Sequence, residues 1–554
     1  MFIRFCILLP LWLPSLLQAQ GTIEDYRRYH EYGRNFGGKM FYDRVEARWF
    51  ADGSGFWYKR REPNNAHSFI LVDAAKGKRD AAFDSNKLSR SLGDALKRKI
   101  DADRLPVTDI QPQDEDQLYI TAQGKGWLVD RQCNTVEQVE KREAPPKPKA
   151  VKKWRPSQGG SPRNNKSPDG KWEIQIKENV VCIKETKSQE SRELKTEDLE
   201  ERRLQGGVFW APDSKRFVVL SENSIEQRKV HFVESFPKDQ LQPKLHELGY
   251  TKPGDPIRML RPHLFHIDCG EVALDTSLFA TPWQLRNLRW SADSRRFNFY
   301  YNQRGHQVVR IVGVDGQTGE ACAMVEEAPE TFVDYSQKTL MHWLSDEELI
   351  WASERDGWNH LYLYDMKTDR VKNQITKGKW LVRGVERIDD EKRQIIFRAM
   401  GMDPDQDPYH VHYCRIDFDG TNLIRLTSGD GMHDLSFSPD GTYYLDRYSR
   451  VDMAGITELR RSSDGKKLCT LETVDISELR KAGWRPPERF VAKGRDGETK
   501  IYGLIYTPAH LDPKRKYPVI ESIYAGPHGH HVPKTFRVNS RQQKMTELGF
   551  ILVQ

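Results

Sequence analysis

The side chains most able to do chemistry sit in a few short runs. Asp198-Leu199-Glu200-Glu201-Arg202-Arg203 sets two carboxylates, Glu200 and Glu201, side by side, and such a pair suits an ammonium group. Tyr524 precedes Ala525-Gly526-Pro527. Its phenol, with a reference pKa of about 10, stays protonated and can donate to an oxygen on which negative charge develops. Asp403, Asp405 and Asp407 alternate like the opening of a calcium loop, but Pro408 stands where Gly is required and Cys414 where the closing acid is needed, so the run reads as a turn. His263, His266 and Cys269, and separately His410, His412 and Cys414, lie in strand-like runs with no closing ligand set, so neither a metal nor any other cofactor is assigned. His528, His530 and His531 read as an exposed loop. The nucleophile elbow G-x-S-x-G does not occur, so the 554 residues carry no recognisable Ser-Asp-His triad.

These groups must be held by a repetitive scaffold. A phrase recurs in which an apolar run meets a turn built on Asp with Gly, Ser or Pro and then a second apolar run. Its clearest copies begin at Ser167, Ala211, Ser291 and Ser438; weaker ones begin at Ala51, Asp114, Ser345 and Asp389. Pro fixes one backbone angle and Asp or Gly tolerates a tight reversal, so each copy predicts a hairpin turn. Small antiparallel sheets of this kind bury their faces by packing radially, and about eight such units predict an eight-bladed β-propeller over residues 21–485. Residues 74–104 have near-helical apolar spacing and predict an amphipathic insertion, while 140–166, rich in Pro and Lys, predict a mobile basic loop.

From Pro486 the pattern becomes strand, loop, helix, strand: Phe490 to Ala492, Ile501 to Tyr506, Tyr517 to Tyr524, a helix over Ser540 to Leu548, and Phe550 to Val553. That is the opening of an α/β sheet. The sequence stops directly after what should be an interior strand lacking a neighbour, so residues 486–554 are expected to be the first part of an incomplete domain. Residues 1–20 carry one Arg, an apolar stretch broken by Pro10 and Pro14, and a small-residue exit at Ala19, which predicts a secretory signal and a periplasmic or extracellular location. No later run approaches the length of a membrane span. Lys plus Arg exceed Asp plus Glu by only 87 to 80, too small a surplus for a nucleic-acid partner. The six cysteines beyond the signal are widely spaced, and both disulfides and buried thiols are compatible with them.

The phrases above, together with Tyr250-Thr251-Lys252-Pro253-Gly254-Asp255-Pro256, Glu354-Arg355-Asp356-Gly357-Trp358-Asn359-His360-Leu361-Tyr362 and Tyr524-Ala525-Gly526-Pro527, resemble the dipeptidyl peptidase IV family of prolyl-oligopeptidase-type serine peptidases. The resemblance spans nearly all of the chain after residue 20. It implies a propeller followed by a truncated α/β-hydrolase domain, exported proteolysis of oligopeptides near their N-terminus, and Tyr524 as the oxyanion tyrosine. It also implies that Ser, Asp and His follow residue 554, so that these residues alone are an inactive fragment. Glu200 and Glu201 occupy the interval of the family's amine-binding glutamates. The accompanying Trp and Tyr are absent, so the pair also reads as a solvated charged loop, and dipeptide release as against another oligopeptide cut stays open. Peptides are the implied partners, with a possible homodimer. A non-catalytic propeller that binds peptides or a protein is the alternative.

Overall fold

A computed structural model describes residues 22–143, 154, 160–196, 199, 201–337, 339–524, 526 and 529–554. The expected signal, Glu200, His528 and the Pro145-to-Lys149 run lie outside them. The chain is mainly β, with 43% strand against 9% helix. It divides into two compact units: Met1–Lys152 with Asp403–Cys414 and Ile424–Gln554, and Lys153–Met402 with Arg415–Leu423.

In the first unit three four-stranded antiparallel sheets, spanning 48–81, 107–139 and 432–473, each pair strands in sequence order. Alternation of apolar and polar residues along such strands buries one face. The sheet of 48–81 packs Phe56, Tyr58 and Ile70 against Leu445, Leu459 and Leu471 of the sheet of 432–473. Tyr58 donates to Glu472 Oε1 at 2.7 Å and accepts from Arg79 Nε at 3.0 Å, so the polar end of a buried ring is satisfied across the same junction. The predicted insertion at 74–104 is shorter than its apolar spacing implied. Lys78–Ala81 completes a sheet, and the α-helix is confined to Ser85–Leu96, with a short 3-10 turn at Ala102–Arg104; the α-helix is started by Asp84, whose carboxylate accepts from Asn86 N and Lys87 N. Leu88 and Leu92 are its buried face.

The 486–554 segment forms a fourth sheet in this unit, ordered Glu488–Lys493, Lys500–Tyr506, Ile551–Val553, Val519–Glu521. Ile551–Val553 runs parallel to Val519–Glu521, with the helix Arg541–Thr546 between them in sequence, which is a strand-helix-strand unit. The last strand does not lack a neighbour as its sequence position suggested: it is hydrogen-bonded on both sides, and the sheet's outer strands are Glu488–Lys493 and Val519–Glu521. A helix absent from the sequence reading, Ile23–Phe36, packs Tyr32 and Phe36 with Leu479, Trp484 and Val538.

The second unit holds a three-stranded sheet (172–193), a five-stranded sheet (202–272), four-stranded sheets at 282–327 and 341–374, and the pair Leu381–Asp389 with Gln394–Met400. Its repeated turns are chemically alike. Ser167 Oγ donates to Asp169 Oδ1 at 2.7 Å and accepts from Trp172 N at 3.0 Å, and Ser291 does the same with Asp293 at 2.6 Å and Arg296 N at 3.2 Å. They also bind one another: Asp169 N donates to Ser214 Oγ at 3.1 Å, Asp213 N to Ser294 Oγ at 3.0 Å, and Ala292 N to Asp346 Oδ2 at 2.7 Å. The turns at Ser214, Ser294 and Asp346 thus each offer an acceptor to the turn before, which gives the repetition a physical reason. In the predicted loop of 140–166, Trp154 is pinned, its N–H donating to Glu386 O at 2.8 Å. Among the described residues no helix is long and apolar enough to cross a membrane, and Cys133, Cys182, Cys269, Cys322 and Cys469 form no disulfide.

Candidate functional site

Tyr524 follows the strand Val519–Glu521 and is 67% exposed. Its ring lies 5.4 Å from that of His531 and covers Gly526, where a Cβ would fall 2.4 Å from Tyr524 Cε1. In this arrangement glycine leaves the ring room, and the exposed phenol is free to donate. Glu201, in the second unit, is exposed on a turn, and its carbonyl accepts from Ser224 N at 3.3 Å.

Within the first unit, residues of 407–410, 450–452, 487–491, 502–504 and 532–534 line a cavity of about 500 Å3. Lys534 Nζ donates to Asp407 Oδ2 at 2.7 Å, both side chains being 6% exposed. The ammonium also lies 4.9 Å from the Tyr409 ring and 5.7 Å from the Tyr502 ring, so a carboxylate and two aromatic faces replace the water it has lost. Burial still pushes the Lys534 pKa below its ordinary value, against the pull of Asp407. His410 Nδ1 is 2.9 Å from Asp430 Oδ1, yet the two are not aligned as a hydrogen bond. Burial, more than the Asp407 and Asp430 charges can offset, lowers its pKa and keeps it neutral. Arg450 pairs with Asp430 and, at 2.7 Å, with Asp452; Arg489 approaches both acids at 3.9 and 3.8 Å. The cavity wall is polar but its charges are largely matched.

The residues weighed as metal ligands have other partners. Asp403 is engaged by Arg425 in a fork. His412 is 2% exposed at its side chain, accepts from Arg425 at Nδ1 (3.1 Å) and faces Gln406 Oε1 at Nε2 (2.9 Å), while its ring lies 4.9 Å from His433. Burial first, then the His433 and Arg425 charges, pushes its pKa down to about 3. Burial pushes the Cys414 thiol up to about 12, leaving it protonated and inert. In the second unit His263 Nε2 is 2.7 Å from Ser221 Oγ, and its Nδ1 is 2.6 Å from Glu271 Oε1. That is the order of a hydrolytic triad, but Ser221 is fully buried and its oxygen accepts from Arg202 Nε at 2.8 Å. With no approach for a carbonyl carbon, the group serves to anchor Arg202, which also donates to Met259 O at 2.5 Å, beside Glu201. Sequence spacing could not have revealed this set, nor the Asp407–Lys534 pair, whose members are 127 positions apart.

Comparison with known proteins shows what the chain is similar to. The model of the dipeptidyl peptidase IV N-terminal region matches residues 197–454. That stretch, somewhat under half of the chain, is similar to the dipeptidyl peptidase IV family. It is 22% identical over 374 residues to the probable dipeptidyl-aminopeptidase B of Emericella nidulans, a match covering 62% of this chain and 40% of that protein. The corresponding protein of Penicillium rubens is also 22% identical, with 63% and 41% covered. The match thus spans only about two fifths of these family members' length. Among solved structures, dipeptidyl peptidase 4 of Porphyromonas gingivalis superposes with a TM-score of 0.50 at 17% identity, over 95% of this chain and 73% of its own, a likeness of fold.

Proposed function

We propose that the complete protein is an exported serine peptidase of the dipeptidyl peptidase IV type, hydrolysing peptide bonds near the N-terminus of oligopeptides. The observation that carries this reading is the family match over residues 197–454. In this reading residues 1–20 are a secretory signal, 21–485 an eight-bladed propeller, and 486–554 the opening part of an α/β-hydrolase domain whose Ser, Asp and His follow residue 554. Tyr524 donates its phenolic proton to the oxyanion that forms when the serine attacks the substrate carbonyl. The exposed phenol, poised over Gly526 behind a strand of a strand-helix-strand unit, supports that role. Glu200 and Glu201 would receive the substrate's free amine; anchoring of Arg202 through Ser221, His263 and Glu271 supports a fixed position for the neighbouring Glu201.

The protein would act without a cofactor and as a homodimer. Support for the dimer comes from the two-stranded ribbon Lys229–Glu234 and Lys244–Gly249, where Phe232, Val233, Leu245 and Leu248 are all more than half exposed. A two-stranded ribbon with bare apolar side chains is marginal in water and gains by being covered.

The decisive experiment expresses the coding sequence with whatever follows residue 554 and measures release from Xaa-Pro chromogenic dipeptides. Hydrolysis is expected, with Tyr524→Phe lowering kcat by about 100-fold or more, the usual scale for loss of one oxyanion donor. Hydrolysis unaffected by the substitution would remove Tyr524 from the mechanism. A stable secreted product with no hydrolysis would leave a peptide-binding propeller instead.

A further inference from the structure

The strand Leu381–Asp389 carries a β-bulge. Val382 faces Ala399 and Gly384 faces Arg398, which leaves Arg383 as the extra residue. A bulge bends its strand and re-aims the side chain it inserts. Arg398 lies across this strand so closely that a Cβ at position 384 would come 2.6 Å from Arg398 Nη2. Glycine at 384 therefore admits a second guanidinium beside the one the bulge has turned out.

Two cations brought together in partial burial ordinarily need anions. Here the protein supplies little. Arg383 donates to the Gln337 side-chain oxygen and, at 3.5 Å, to Gln337 O, both uncharged. Arg398 has a buried Nε with no acceptor. Neither makes an ion pair with a described carboxylate. Asp334 is near enough for its charge to act on Arg383, but it is buried and accepts from Ser336 N at 3.2 Å and Ser336 Oγ at 2.9 Å. Burial, and then the Arg398 charge, hold the Arg383 pKa below its ordinary value, as expected of a cation short of counter-charge. Both side chains nevertheless remain partly accessible to solvent.

We propose that Arg383 and Arg398 form a carboxylate-binding site that takes an acidic side chain or the free C-terminus of a peptide. A guanidinium offers paired N–H groups that match the two oxygens of a carboxylate, and a second one alongside adds charge and fixes orientation. The site does not depend on the peptidase reading: binding can be measured where no hydrolysis occurs, and hydrolysis can proceed with neutral peptides.

The test titrates three fluorescein-labelled pentapeptides into the full chain at low salt: Ala-Ala-Glu-Ala-Ala amide, its Gln counterpart as the amide, and the Gln peptide with a free C-terminal carboxylate. At least one of the carboxylate peptides should bind about tenfold or more tighter than the neutral amide, the scale of a hydrogen bond to a charged group, and which one does so separates side chain from terminus. Arg383→Gln and Arg398→Gln should each bring all three within about twofold. Gly384→Ala, which keeps both arginines but displaces one, should do the same, and Arg398→Lys should give an intermediate loss. Equal binding of the three peptides by the wild type, or no binding, overturns the proposal. So does discrimination that survives the Gln substitutions in variants whose melting curves match the wild type.

Discussion

His412 shows how far a single side chain can be taken from its solution behaviour. Held neutral by burial, by Arg425 donating to Nδ1 and by the neighbouring His433, it has a pKa of about 3 in the fold, against about 6.5 in an unfolded chain. Between these values the unfolded state binds the extra proton, so stability rises with pH through that window. The contribution is complete above the unfolded pKa and is lost as pH falls toward the folded one. The slope from this one group is at most about 1.4 kcal/mol per pH unit. His410, lowered by burial, acts with the same sign, while Asp403, held below its ordinary carboxylate pKa chiefly by its hydrogen bond with Arg425, adds loss only at more acid pH. Urea denaturation at pH 7.5, 6.5 and 5.5 should therefore show falling stability on acidification, and His412→Gln should flatten the profile. An unchanged slope in the variant would mean that the acid sensitivity arises elsewhere.

At the scale of elements, the turns were the most legible part of the sequence, because Pro, Asp and Gly constrain the backbone locally and need no tertiary context. The strand-helix-strand run after Pro486 was legible for a related reason, its apolar period changing from that of strands to that of a helix. What the phrases did not reveal is their dependence on one another. Ser214 and Ser294 stand where the copies at Ser167 and Ser438 have glycine, both at φ of 61°. A side chain accepts that conformation at a cost of about 1–2 kcal/mol, and here the hydroxyl caps the preceding turn. Ser294→Ala should keep the strained backbone and strand Asp213 N, a net cost of about 1–3 kcal/mol by chemical denaturation. Ser294→Gly loses the same bond but relieves the backbone, so it should cost less than the alanine variant. If the two are equal, the positive φ carries no strain worth counting.

Over the whole chain, fold and site differ in how much a sequence discloses. Repetition multiplies a weak local signal, whereas Asp407 with Lys534, Ser221 with His263 and Glu271, and Arg383 with Arg398 are pairings created only by folding. The helix Ile23–Phe36 belongs to the same class. It had a local signature, Thr22 followed three places on by Asp25, and both halves of that capping box form. Its partners, however, lie more than 400 residues away. Tyr32 OH donates to Val538 O at 3.0 Å and accepts from Trp484 Nε1 at 3.0 Å, while Tyr32, Leu479 and Trp484 are buried together. Burial raises the Tyr32 pKa, so the phenol is protonated and available as donor across the physiological range. Removing residues 22–36 should leave the Trp484 indole N–H with only its 3.3 Å contact to Val538 O and bare the apolar patch. Tyr32→Phe keeps the ring and removes only the hydroxyl, at about 1–2 kcal/mol. Hydrogen exchange should then quicken over 476–484 and 536–546 in the truncated chain, modestly so in Tyr32→Phe, with the sheet of 107–139 protected in both. Equal loss of protection across that distant sheet would instead make the helix a condition for folding of the entire first unit, and unchanged exchange in 476–484 would deny it any role as a tie.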